Sequence, residues 1–217
     1  WNSAMVTCAR GRSWEKPLRL LDELRRKESW SVPVTSMVAA SGCSTVIGAC
    51  ARGAAWAWAV LLLHQAWCSR MELRTECYNA AIAAYARVAM WAQALDLLHA
   101  IPRFRVDQDV VSFNASISAC SLVAEWAWAL LLLVGMRSFN LQPDIVSHNA
   151  VIAACQPLGH WQIALWSLGD LRHSSLQPNV IAWCAAMSTC MRSRHWDRTL
   201  QLFCEARRSM AELNAVA

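Results

Sequence analysis

Asn79, Asn114 and Asn149 stand 35 residues apart, and Asp109, Asp144, Asn179 and Asn214 recur at the same interval. An amide both donates and accepts hydrogen bonds, whereas a carboxylate only accepts. Such residues suit recognition of a ligand with polar edges better than the making or breaking of bonds. Their structural roles are also familiar: Asn and Asp cap helices and bond neighbouring backbone, and an Asp or Asn at the end of a unit can be the N-cap of the next helix. Either column alone is accounted for in that way. Both columns together, in a repeating chain, form two parallel polar ladders along one groove.

No catalytic constellation accompanies these ladders. The chain has no Cys-x-x-Cys, no His-Glu-x-x-His, no phosphate-binding glycine loop and no Gly-x-Ser-x-Gly. It also lacks a His-x-Glu followed by a cysteine pair, so it holds no zinc-deaminase site. Of the ten cysteines, Cys8, Cys50, Cys120, Cys155 and Cys190 share one column, with Tyr85 in that place in the remaining unit. One cysteine per unit cannot build a four-ligand cage, and a free Cys behaves as a small buried apolar residue. Unpaired thiols imply a reducing compartment. His160 and His195 precede Trp161 and Trp196 and read as surface residues at inter-helix corners. The expectation is a binding protein, not an enzyme, with no cofactor and no metal.

The elements that must position the ladders are announced by tryptophan. Trp56, Trp91, Trp126, Trp161 and Trp196 are each 35 residues apart, and Trp14 lies 42 before Trp56, one period plus seven. A fixed period of this size marks a stack of similar units. Four units abut without a gap, over 75–109, 110–144, 145–179 and 180–214. Residues 33–74 form a degenerate unit enlarged by seven, and residues 1–32 a truncated one that carries Asn2 in the first ladder. Each unit reads as two helices. Phe113, Ile117 and Cys120 lie on one apolar stripe, and Trp126, Leu130, Leu133 and Met136 on a second. Gln142-Pro143-Asp144 and Gln177-Pro178-Asn179 close their units, because proline lacks an N–H and disfavours helix in the residue before it. Pro157 and Gly159 mark an inter-helix turn, and Pro102 should shorten or kink the second helix of its unit. The Trp column reads as buried packing, since it lies on a stripe with Leu and Ala.

The hydrophobic share of 56% is high, and a solenoid explains it, because each helix packs within its own unit and on both neighbours. The run from Trp126 to Met136 has 11 residues, against about 20 for a membrane span, so no membrane association is expected. The fold class is all-α, a right-handed α-solenoid of helix–turn–helix repeats.

With these residues in place, the units resemble pentatricopeptide repeats of the 35-residue type. Val110-Val111-Ser112-Phe113-Asn114, Ala129-Leu130, Met136 and Leu141-Gln142-Pro143-Asp144 carry the resemblance, which extends over essentially the whole chain. It implies single-stranded RNA binding, one base per repeat, read by two or three side chains. The readers would be Asn79 with Asp109, Asn114 with Asp144, and Asn149 with Asn179, while Asn214 ends the last unit. The family's preferences imply U for the first two pairs and C or U for the third, so the expected core is 5′-UUY-3′ with the N-terminus toward 5′. Val111, Val146 and Ile181 match the branched residues that sandwich bases in the family. The resemblance also implies an organellar home, in chloroplast or mitochondrion, and a role in RNA metabolism.

The chain departs from the pattern at several points. Glu76 replaces the sandwiching residue of its unit, and its charge would repel phosphate. Cys184 replaces the reading amide opposite Asn214. Three legible bases are few, and a longer array is expected, with further repeats or an effector domain outside this segment. A net charge of +5 favours phosphate partners, with Arg103, Arg105, Arg192, Arg194, Arg207 and Arg208 as candidate neutralisers. A scaffold that binds peptides in the same groove is the second reading.

Overall fold

The computed structural model describes residues 73–216 except Arg105 and Ser175, together with Ile47, Ala59, Val60 and Leu63. The readings made for residues 1–32, for Trp14 and Trp56, and for most of 33–74 lie outside the described residues. Among the described residues there are eight α-helices and no strand. They are α1 (Thr75–Arg87), α2 (Trp91–Ala100), α3 (Val110–Leu122), α4 (Trp126–Ser138), α5 (Ile145–Cys155), α6 (Trp161–His173), α7 (Val180–Arg192) and α8 (Trp196–Val216). The chain divides into two compact bodies, Trp1–Ala115 and Ser116–Ala217, the division falling within α3.

Local chemistry fixes where the helices begin. Asp144 lies just before α5 in extended backbone and its carboxylate accepts from the Ser147 N–H at 2.8 Å, while the Ser147 hydroxyl accepts from the Asp144 N–H, a reciprocal capping box. Asn179 precedes α7 and accepts from the Ala182 N–H at 2.9 Å. Asp109 likewise accepts from the Ser112 N–H at 2.8 Å before α3. Pro143 and Pro178, both buried, come one residue earlier in the first two cases.

The inter-helix turns repeat with the same period. Ala89, Ala124, Gly159 and Arg194 all hold positive φ, between 58° and 70°, and each is 35 residues from the next. A left-handed residue just past a helix end allows the following N–H to bond back to the last turn. Accordingly Met90, Glu125, His160 and His195 donate to the carbonyls of Tyr85, Cys120, Cys155 and Cys190 at 2.9–3.1 Å. Only Gly159 announces itself in sequence; the others impose the same geometry with a side chain attached. Pro102 acts as its position suggests: α2 stops at Ala100 after ten residues and a 3₁₀ turn follows over Ile101–Phe104.

In the first body α1 packs on α2. In the second, α5 packs on α4, α6 and α7, and α7 on α6 and α8, so first helices lie beside first helices as well as against their own partners. Phe113, Ile117, Cys120, Leu133 and Met136 are all buried, as their stripes require. One core runs through Ile152, Cys155, Ala164, Leu168, Trp183, Ala186, Cys190 and Leu202. Ala94, Ala129 and Ala164 are fully buried at one point of successive second helices; so small a side chain lets the helices approach closely.

The Trp column differs from expectation. Trp91, Trp126 and Trp161 are only partly buried, and Trp196 is 69% exposed. Each opens its second helix, and Trp126 and Trp161 pack against the edge of the core. The His residues at the corners explain why Trp is useful there: the Trp126 ring lies 4.6 Å from that of His160 and the Trp161 ring 4.5 Å from that of His195, both tilted. The corner histidine of one unit covers the tryptophan of the unit before it. Among the described tryptophans the deeply buried one is Trp183, in the column of Tyr78, Phe113 and His148.

Candidate nucleic-acid interface

The two polar ladders meet. The Asn79 amide donates to both carboxylate oxygens of Asp109, at 3.0 and 3.1 Å, across thirty residues of chain. Asp109 at the same time holds the N-terminus of α3, and the Ser112 hydroxyl lies 2.5 Å from the Asn79 carbonyl oxygen and 2.7 Å from Asp109. One unit pair later in the second body, the Asn149 amide donates to the Asn179 side-chain oxygen at 3.3 Å, while that oxygen accepts from the Ala182 N–H. Capping and pairing are therefore simultaneous properties of one side chain. The cap requires an oxygen at the helix end, and an oxygen so oriented can only accept from the neighbouring Asn. That requirement fixes which way each amide faces.

The residues flanking these pairs carry apolar side chains into solvent. Val111, Val146 and Ile181 are each more than half exposed, although their helices have ample buried surface nearby. An open groove of about 520 Å³ is lined by Asn149, Ala153, Gln156, Val180, Ile181, Cys184, Ala185 and Ser188. Asn149 and Ile181 thus share a wall of one groove, on the faces of α5 and α7.

The remaining candidates are placed as follows. Asn114 is partly buried on α3, and Asp144 is the N-cap of α5. Asn214 lies inside α8, which continues to Val216, unlike Asp109, Asp144 and Asn179, which precede helices. Pro143 and Pro178, which precede Asp144 and Asn179, have no counterpart at Leu213. Cys184, which stands where the other units carry Asn, is an exposed free thiol in the groove.

Among the described residues three ion pairs join an Arg to a carboxylate. Glu76, expected to repel phosphate, forms an exposed ion pair with Arg74 at 2.9 Å. Arg137 bonds both carboxylate oxygens of Asp170 at 2.9 and 2.7 Å, and one unit later Arg172 reaches Glu205 at 2.9 Å. Behind the first of these pairs His148 is fully buried, its Nδ1 3.1 Å from the Ser167 hydroxyl and its Nε2 3.8 Å from Asp170. Burial lowers the His148 pKa, with Asp170 opposing. Sequence reading missed this cluster, because His148 replaces an aromatic in a core column and a single replacement has no period to reveal it. The described cysteines are all free; burial pushes Cys120 and Cys155 up to about 11 and raises Cys190. No group of described residues could hold a metal ion, and no described helix is long and apolar enough to cross a membrane.

The described residues, helical and built of 35-residue hairpins with side-chain pairs linking first helices, define a helical repeat protein of the solenoid class. Comparison with solved structures gives the particular fold, that of the pentatricopeptide repeat proteins. The chain is similar to PPR10 in complex with an 18-nucleotide psaJ RNA element (TM-score 0.74, 21% identity, 96% of this chain and 29% of that one). It is similar also to PPR10 from maize (TM-score 0.63, 20% identity, 96% and 34%). A third likeness is to the PPR domain of Arabidopsis thaliana protein-only RNase P 1 in complex with tRNA (TM-score 0.66, 14% identity, 75% and 86%). The chain thus spans about a third of the length of the PPR10 structures it matches. No family model and no curated protein sequence matches it.

Proposed function

We propose that this chain binds single-stranded RNA along the ladder of its first helices, one base per unit, and performs no chemistry on it. The observation that carries the reading is the pairing of Asn79 with Asp109 and of Asn149 with Asn179 beside exposed Val111, Val146 and Ile181. Exposed branched apolar side chains suit the faces of bases, and amide and carboxylate groups between them suit base edges. PPR10 and the RNase P domain are solved with RNA, which favours RNA over a peptide as occupant of this groove. The three pairs, including Asn114 with Asp144, read 5′-UUY-3′, with the N-terminus toward 5′. The role is in organellar RNA metabolism, as an adaptor that occupies or remodels a transcript.

The test is binding to short single-stranded RNAs with UUC, UUU, AAG and GGA cores at two salt concentrations. Preference for UUC and UUU is expected, with log affinity falling against log salt by about 0.7 for each phosphate contacted. Equal, salt-insensitive binding to all four would overturn the reading and leave a peptide scaffold.

A further inference from the structure

Three positions recur on the second helices with the period of 35, and their chemistry changes in the middle of the chain. The unit over 75–109 holds Gln93, Asp96 and His99 there, and the unit over 180–214 holds Arg198, Gln201 and Cys204, all exposed. The two units between hold Trp128, Leu131 and Val134 on α4, and Ile163, Trp166 and Gly169 on α6. The large apolar side chains stay outside: Trp128 is 41% exposed, Leu131 59%, Val134 52% and Trp166 46%. α4 and α6 lie side by side, tied at one end by Trp126 on His160 and at the other by Arg137 on Asp170. The six residues therefore form one patch, and contiguous exposed apolar surface marks an interaction site. Glycine points the same way. In a helix interior it costs stability, yet a Cβ on Gly135 or Gly169 would meet nothing within 4 Å. No described neighbour needs the room they leave. The groove beside Asn149 is lined by first helices alone, so the patch is separate from it.

We infer that a second copy of this chain docks on the patch, about a two-fold axis that passes between Leu131 and Trp166. The patch is complementary to itself under that operation. Each α4 lies antiparallel on the α6 of the second copy. Leu131 then meets Trp166, Val134 meets Ile163, and Trp128 meets Gly169, whose missing side chain makes room for the indole. Every contact occurs twice, as an isologous interface requires. The same axis sets Glu125, at the start of α4, opposite Arg172, near the end of α6, so the rim is complementary in charge. An anionic membrane surface fits less well. It calls for cations around the apolar face, and here Arg137 and Arg172 are already paired with Asp170 and Glu205. Two helices of 13 residues, each about 20 Å long and roughly 10 Å apart, present on the order of 400 Å² in plan, about half of a standard partner surface. The pairing is therefore reversible. It leaves the first helices open and does not depend on what their groove binds.

Sedimentation equilibrium of the full chain should show a monomer–dimer equilibrium with a Kd on the order of 10 µM, the scale for an interface of this size. Leu131→Asp places a charge in the contact, and Gly169→Arg fills the room for Trp128. Each should weaken dimerisation about tenfold or more. Gln201→Asp, at the same place in a flanking unit, should leave it within about twofold. Thermal denaturation of the three variants confirms that the fold is kept. The register is read separately: chains carrying Leu131→Cys, mixed with chains carrying Trp166→Cys and treated with a short bis-maleimide, should give a 131–166 linkage between copies, mapped by mass spectrometry. A monomer at every concentration would overturn the inference, and so would a dimer indifferent to Leu131→Asp and Gly169→Arg or linked at other positions. A monomer that binds phosphatidylglycerol vesicles through these residues would overturn it in favour of a membrane surface.

Discussion

Asn79 and Asp109, thirty residues apart, share a hydrogen-bonded pair in which Asp109 also closes the first turn of the next helix. Asp109, which sequence alone offers as a cap or a reader, caps α3 and pairs with Asn79 through one side chain. The cap has an independent energetic value, so the two roles can be separated by substitution. Asp144→Ala removes the capping box of α5 and should cost about 1 kcal/mol, within the usual range of 0.5–2. Asp144→Asn keeps an oxygen for the Ser147 N–H and should cost less than half as much, while altering the base preferred at that unit. Urea denaturation of the two variants beside the native chain decides it; equal losses for both would refute the cap assignment.

The turn column offers a second prediction. Ala89, Ala124 and Arg194 hold left-handed backbone that an L side chain adopts at a cost of roughly 1–2 kcal/mol. Replacing each by Gly should stabilise the chain by about 0.5 kcal/mol net, because the glycine also gains freedom in the unfolded state. Gly159→Ala should do the reverse and more, since a Cβ there would come within 2.7 Å of the Ser193 hydroxyl. That hydroxyl bonds the Gly159 carbonyl and cannot step aside freely. Thermal denaturation is the measurement, and a Gly159→Ala variant as stable as the native chain would contradict the geometry.

His148 makes stability depend on pH. Burial holds its folded pKa below the ordinary 6.5, so the unfolded chain takes up the proton first. Stability from this group is complete above about pH 6.5 and declines as pH falls below it. His148→Phe, which restores the aromatic found at Phe113, should flatten the dependence between pH 7.5 and 5.5. Denaturation of both proteins at the two pH values tests this; parallel losses would assign the acid sensitivity elsewhere.

The cysteines should divide by position. Cys120 and Cys155 are buried thiols pushed up to about 11, and Cys184 and Cys204 are exposed. Alkylation of the native protein, mapped by mass spectrometry, should modify Cys184 and Cys204 well before Cys77, Cys120, Cys155 and Cys190. Bound RNA should protect Cys184, which lies in the groove, and leave Cys204 unprotected. Early modification of Cys120 or Cys155 would contradict the packing.

Much of this architecture is legible in the sequence because it repeats. A period of 35 marks the helix starts at Val110, Ile145 and Val180 as readily as those at Trp126 and Trp161. What the period hides is whatever depends on geometry across units. The corner histidines were legible as surface residues, but their stacking on Trp126 and Trp161 pairs positions 34 apart, which no single unit displays. The left-handed turns at Ala89, Ala124 and Arg194 were invisible because neither Ala nor Arg signals positive φ. Trp126 and Trp161 pack against the core as their stripe suggests, whereas the exposure of Trp196 is hidden, because apolar neighbours in sequence do not tell how much of a helix start is covered. Asn214 is counted with the unit ends by its column, yet α8 runs through it.

The linkage of Asn79, Asp109 and Ser112 bears on modularity. A 35-residue unit excised at its own boundary would carry Asn79 and Asp109 but leave behind the first turn of α3, whose N–H and hydroxyl hold Asp109 in place. The portable element is longer than the repeat: it runs from one helix through the opening turn of the next. Units grafted in tandem should therefore be joined within second helices or beyond that turn, and a unit exchanged singly changes the setting of two amides, its own and its predecessor's.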